Sequence, residues 1–238
     1  MYLQFKNVSF SYPDVLALDN VSFEIDRGEI VGLIGSNGSG KTTSILNIIK
    51  FLQPQNGEIS IENVNISDIK NEKFPVSYIA DEPIFYDELS VLEHLHFLKA
   101  LYPKNKINIE DLISELELHN HLQKVPSALS KGTRQKLSIS LSLLRDYELL
   151  IADEPFNGLD PKQINVFKRT LLNCKEMGKA ILLSTHLLDM VEGLCDKYIM
   201  INHGKLVAYG TKSEIIHANN LDNDISLEQA YLSIIERI

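Results

Sequence analysis

Gly35-Ser36-Asn37-Gly38-Ser39-Gly40-Lys41-Thr42 constrains this chain more than any other stretch. A glycine, four residues, then Gly-Lys-Thr is the pattern of a phosphate-binding loop. It lies where such a loop must lie, between the apolar run Ile30–Ile34 and a helix-like segment from Thr43 to Phe51. The glycines let the backbone curl so that successive N–H groups point inward, and the following helix adds its positive end, which together make an anion cradle. Lys41 is placed to reach the β- and γ-phosphates of a nucleotide, and the Thr42 hydroxyl to ligate Mg²⁺. Gly35, Ser36, Asn37, Gly38, Ser39, Gly40, Lys41, Thr42 and Thr43 are therefore the nucleotide-binding candidates.

A chain of 238 residues is long enough to bury a sizeable core, as one large domain or two small lobes. Its net charge of −9 argues against a sequence-independent grip on nucleic acid or anionic lipid, so no nucleic-acid partner is expected and any membrane contact should run through another protein. The N-terminus has no basic region followed by an apolar stretch, and no apolar run approaches the ~18 residues that span a bilayer. The expectation is a cytoplasmic chain without signal peptide or transmembrane segment. Cys174 and Cys195 follow no metal-ligand spacing and read as reduced structural thiols.

Residues Met1 to Tyr12 and Val21 to Ile25 read as paired strands joined through Pro13-Asp14, and Gly57 to Glu62 as a further strand, so the first eighty residues look mostly antiparallel. From Pro83 to Tyr147 the pattern is helical. Ser90-Val91-Leu92-Glu93 is a capping box, opening a helix that Pro103 ends, and Ile109–Leu118 and Gly132–Arg145 supply two more. Leu149–Ala152 and Ala180–Leu183 are continuous apolar strands separated by a helix from Pro161 to Met177, the signature of a buried parallel sheet. Tyr198–Ile201 and Leu206–Tyr209 form a hairpin; Thr211 caps one helix and Ser226–Ile238 makes a terminal one. His94, His96, His119 and His121 read as surface residues.

Further motifs follow the phosphate loop. Asp153-Glu154 ends an apolar strand, and two adjacent carboxylates there repel unless a divalent cation is near; read alone they are also an acidic turn before Pro155. Leu129-Ser130-Lys131-Gly132-Thr133 opens a helix, and alone Ser130 is simply an N-cap. Asn157-Gly158-Leu159-Asp160 precedes Pro161, also a good helix start. His186 follows the strand ending at Leu183, and Tyr12 sits in the first strand.

In this order the motifs resemble the ATPase subunit of an ATP-binding cassette (ABC) transporter over essentially the whole chain, most like exporter cassettes for drugs, antibiotic peptides or bacteriocins. The resemblance implies an α/β fold: a P-loop NTPase core of mixed sheet and helices, with an N-terminal antiparallel β subdomain and an inserted helical lobe. The whole of 1–238 is then one nucleotide-binding domain. Residues 1–82 with 148–218 form its ATP-binding core, 83–147 the helical lobe, and 219–238 a C-terminal helix. By the same likeness Lys41, Glu154 and His186 are catalytic, with Glu154 as base and His186 as the switch histidine at the γ-phosphate. Thr42, Asp153 and Asp81 serve Mg²⁺, Tyr12 stacks on adenine, and Ser130 and Gly132 bind the ATP held by the partner protomer. The sequence departs from the family pattern at Lys131, where a Gly is usual, and at Thr133, where a Gln is usual. The family's Q-loop glutamine falls on Asp81, or on Glu82 if the alignment slips by one.

The implied function is hydrolysis of ATP by a pair of subunits, identical or close paralogues, closing around two Mg-ATP and driving a separate integral membrane permease. The permease is expected to meet the helical lobe and Q-loop beside Ile84, Phe85, Tyr86 and Leu89, holding the chain at the cytoplasmic face of the membrane. A soluble ABC ATPase serving an assembly such as iron–sulphur cluster biogenesis would carry the same motifs and stays open. A chromosome- or DNA-repair head needs a long coiled coil between the phosphate loop and the family's signature, here Leu129–Thr133, and the segment from Asp81 to Ser130 is too short for one. A catalytically dead module is expected to lack Lys41 or Glu154, and both are present.

Overall fold

The computed structural model describes residues 1–237. Its strands are β1 (Leu3–Tyr12), β2 (Val15–Ile25), β3 (Ile30–Ile34), β4 (Asn56–Ile61), β5 (Val64–Asn65), β6 (Val76–Ile79), β7 (Leu149–Asp153), β8 (Ala180–Thr185), β9 (Lys197–Asn202) and β10 (Lys205–Gly210). The helices are α1 (Lys41–Ile48), α2 (Val91–Leu101), α3 (Ile109–Glu115), α4 (Lys131–Leu143), α5 (Pro161–Glu176), α6 (Leu188–Val191), α7 (Lys212–Ala218) and α8 (Leu227–Ile235). The terminal helix expected from Ser226 thus runs to Ile235, and Ile238 lies outside the described residues.

Two sheets divide the strands. The order β2-β1-β4-β5 is antiparallel throughout; the order β10-β9-β3-β8-β7-β6 is parallel except for β10 at its edge. The first eighty residues are therefore less antiparallel than their pattern suggests, because β3 and β6 belong to the parallel sheet. Val76-Ser77-Tyr78-Ile79 gave no strand signal, being short and half polar; its buried Ser77 hydroxyl donates to the Ser142 carbonyl (2.8 Å). Strand β2 also begins earlier than Val21, with Val15 paired to Tyr12. The register slips along this hairpin, and Asn7 and Asn20 adopt left-handed φ of 50° and 53°, so apolar residues do not alternate strictly along it.

Both faces of the parallel sheet are covered, which is why its central strands β3, β7 and β8 are buried at every position and apolar up to their last residues, Asp153 in β7 and Ser184-Thr185 in β8. Ile30, Ile34, Leu150, Ala152, Ile181 and Leu183 face the cluster shared with α2, α4, α5 and α8. Val31, Leu33, Leu149, Ile151, Ala180 and Leu182 face α1 and the antiparallel sheet. Local chemistry sets the helix starts: Ser90, Thr211 and Ser226 each complete a capping box with Glu93, Glu214 and Gln229. The β9–β10 turn is tighter than its sequence pattern, with His203 and Gly204 at φ 47° and 75° and Asn202 paired to Lys205. His94 is buried rather than at the surface: its Nε2 accepts the Tyr86 N–H (3.1 Å) and its Nδ1 donates to the Ser90 carbonyl (2.8 Å). Those two bonds stitch the loop before α2 onto the helix, a role that helix-face patterning does not reveal.

Candidate functional site

The phosphate loop leaves the end of β3 and enters α1 without a break. A Cβ on Gly35 would run into Ser39 Oγ and the Ile201 carbonyl, so no larger residue fits that bend. Gly40 sits at φ 113°, where a side chain would also meet the Ala17 carbonyl at 2.7 Å. Helix α1 has no side-chain cap and no acid in its first turn, whereas every other α-helix except α6 starts on a Ser, Thr, Asn or Asp cap. Its free N–H groups and positive end remain for an anion. Lys41, 6% exposed, donates to the carbonyls of Gly35 (2.8 Å) and Ser36 (3.3 Å), across the mouth of its own loop.

The loop borders a cleft of 420 Å³ lined by Tyr12, Asn37, Gly38, Gly40, Lys41, Thr42, Thr43, Asp81 and Glu154. The fold thus brings together candidates from β1, the loop, the end of β6 and the end of β7. Val15 and Ala17 line it too and were missed, since only the β1–β2 hairpin carries them there. Tyr12 is part-exposed at the rim, stacked edge-on against Phe10 (ring centres 5.1 Å apart).

Behind the cleft lies Asp153, 2% exposed. The parallel register of β7 and β8 sets it opposite Ser184, whose hydroxyl donates to Asp153 Oδ1, while the Thr42 hydroxyl donates to Oδ2 (3.1 Å). Burial pushes the Asp153 carboxyl up, the two hydroxyls oppose this, and neighbouring Glu154 and Asp81 push it further the same way as burial. Ser184 escaped sequence reasoning. Its one signal was a hydroxyl residue, followed by Thr185, at the end of a buried apolar strand.

Glu154 occupies a left-handed backbone conformation (φ 46°), held by its N–H donating to the Ser184 carbonyl and hydroxyl, both at 3.1 Å. A non-glycine residue kept in that region marks strain maintained by its surroundings. The strained turn aims the carboxylate inward: Oε1 lies 3.6 Å from Lys41 Nζ and 3.0 Å from His186 Nδ1, and Oε2 accepts the His186 N–H (3.4 Å). Asp81 accepts from Asn157 Nδ2 (2.9 Å), linking the Q-loop position to the turn before α5. No group of three His, Cys, Asp or Glu poised for a metal occurs among the described residues. The oxygen donors Thr42, Asp153 and Asp81 nevertheless fit Mg²⁺, which is held by one or two carboxylates plus phosphates and water rather than by an all-protein cage. The buried carboxylate of Asp153 is an acceptor for such a cation.

Ser130 and Gly132 stand apart from this cleft, whose lining does not include them. Ser130 Oγ accepts the Thr133 N–H (3.2 Å) and pairs with Thr133 Oγ1 (2.8 Å), so the threonine that replaces the usual glutamine holds the serine hydroxyl. A Cβ on Gly132 would meet the Gly158 carbonyl, which locks the start of α4 onto the turn before α5. Asp160 caps α5 through the Gln163 N–H (2.9 Å).

A family model described as ABC transporter matches residues 18–157. The ABC-type transporter ATP-binding protein EcsA of Bacillus subtilis (strain 168) is 35% identical, covering 98% of this chain and 96% of that protein. The SkfA peptide export ATP-binding protein SkfE of the same organism is 32% identical over 86% of this chain and 87% of its own length. Among solved structures, an ATP-binding subunit of an ABC transporter superposes with a TM-score of 0.90 at 34% identity, covering 99% of this chain and all of the other.

Proposed function

The chain belongs to the ABC transporter family as an ATP-binding, ATP-hydrolysing subunit, and on that premise we propose that two such subunits close head to tail around Mg-ATP and drive a separate permease that exports its cargo. The separation of Ser130 and Gly132 from the phosphate cleft supports the head-to-tail arrangement, because the signature then completes the site of a second protomer. Likeness to a peptide export subunit supports the outward direction.

Within each site the loop amides and Lys41 bind the phosphates, and Tyr12 gives adenine a π-face. Glu154 takes the proton of the attacking water on its carboxylate, and His186, whose backbone N–H donates to that carboxylate and whose Nδ1 stands 3.0 Å from it, orients it. Thr42 and Asp153, with Asp81 beside them, would hold Mg²⁺, which would supply charge stabilisation on the transferring phosphoryl group.

One observation carries the permease reading: Asp81 lines the nucleotide cleft and also a second cleft of 570 Å³ with Glu82, Pro83, Ile84, Phe85 and Arg134. Ile84 is 97% exposed there, and Tyr86 is exposed beside it. A partner seated against Ile84 is thereby one residue contact away from the phosphate site. Phe85 instead packs on the core, and Leu89 is half-buried. The test is isolation of the tagged chain from its native cells in mild detergent with ATP, together with a cross-linker on Ile84→Cys. Cross-linking to a polytopic membrane protein is expected; cross-links and co-purification confined to soluble proteins would replace the transport role with the soluble-assembly one.

A further inference from the structure

Helix α8 reaches the phosphate loop. Tyr231 is 6% exposed, and its hydroxyl oxygen accepts the Ser36 backbone N–H at 3.1 Å. Among the described residues it is the one side chain from outside the loop that accepts from an N–H of residues 35–42. Its ring packs with Leu227 and Ile234 in the core on that side of the sheet. A phenylalanine would fill the same space, so the hydroxyl adds something that packing does not require.

The first turn of α8 is tied to the other end of the site. The Leu227 N–H donates to Glu192 Oε2 (3.0 Å), and Glu192 Oε1 receives Lys212 Nζ (2.7 Å). Glu192 directly follows α6, the short helix that begins two residues after His186. One helix therefore holds both the entry of the phosphate loop and the segment carrying the histidine that touches Glu154.

We propose that Tyr231 is a positioning residue of the ATP site: α8 acts as a clasp whose tyrosine hydroxyl fixes the Ser36 N–H and with it the first bend of the loop. An exposed glycine-rich loop without that bond samples more conformations, and nucleotide must then select the cupped one. The inference rests on residues 35–42 being the ATP site. It makes the seating of α8 a determinant of nucleotide affinity.

The test compares the full chain with Tyr231→Phe, by calorimetric titration with ADP, steady-state ATPase kinetics and backbone hydrogen exchange. Loss of one ordering hydrogen bond should raise the Kd for ADP and the KM for ATP by about fivefold, with kcat less affected. Exchange should quicken in the peptide spanning Gly35–Gly40 and stay unchanged in the peptide spanning Leu227–Ile235. Unchanged affinity with an unchanged loop overturns the inference. Faster exchange in both peptides also overturns it, because the hydroxyl then merely seats the helix. If the wild-type chain itself binds no ADP, the assignment of the loop fails first, which separates the two readings.

Discussion

Lys41 Nζ and Glu154 Oε1 stand 3.6 Å apart, with side chains only 6% and 11% exposed. The proposed phosphate-binding cation and the proposed base are thus partners, and phosphate entering the loop would compete with Glu154 for Lys41. This coupling has a consequence for the isosteric amide. Glu154→Gln should bind ATP at least as tightly as the parent, since a competing negative charge is gone. Hydrolysis should fall by about 10²–10⁴-fold, the contribution of a positioned general base. Binding titrations, phosphate release and sizing with ATP measure these, the last expecting a stable dimer. Parental turnover would remove Glu154 from the role of base.

Ser184 ties Asp153 to the backbone of Glu154. Ser184→Ala deprives a buried carboxylate of one of its two hydroxyl donors and should raise the Mg²⁺ concentration for half-maximal ATPase by about tenfold, as loss of an outer hydrogen-bond partner does. A Mg²⁺ titration of activity at fixed ATP reads the effect; a curve superimposable on that of the parent shows Thr42 alone to be sufficient.

Asp81 has two possible uses, as an oxygen donor to Mg²⁺ and as the acceptor for Asn157. Asp81→Ala removes both, and Asn157→Ala removes the second alone. The metal role predicts a several-fold higher Mg²⁺ requirement, of the order set by losing a metal partner, in Asp81→Ala and not in Asn157→Ala. Matching titrations for the two variants reduce Asp81 to a strut between turns.

Stability at acid pH should report on the join between the sheets. Arg27 bridges Glu62 at the end of β4 and Glu148 before β7, and Lys179 also reaches Glu148 (2.7 Å). Burial pushes the Glu148 carboxyl up, but the hydrogen bonds from Lys179 and Arg27 outweigh it and hold the group below its usual value. A depressed carboxylate stabilises the fold above its unfolded pKa and loses that contribution as pH falls through its folded one. Glu148→Gln should therefore lower stability by up to about 1 kcal/mol at pH 7, with the gap closing below about pH 4. Thermal unfolding at both pH values checks it; a gap independent of pH means that the charge is irrelevant.

Contiguous residues determined a good deal by themselves. The phosphate loop, the apolar strand before Asp153 and the capping boxes at Ser90, Thr211 and Ser226 each lie within a few neighbouring positions, so short-range chemistry suffices to specify them. Tertiary structure decided what crosses between segments. Thr42 meets Asp153, Ser184 meets Asp153, Asp81 meets Asn157 and Tyr231 meets Ser36 because β8 inserts between β3 and β7 and α8 folds back against the loop. Strand order and register are set by burying both faces of the sheet at once, a condition on the whole chain that no single stretch expresses. The same reason put His94 inside and left β6 unsignalled: each is fixed by the elements packed on it, not by its neighbours in sequence.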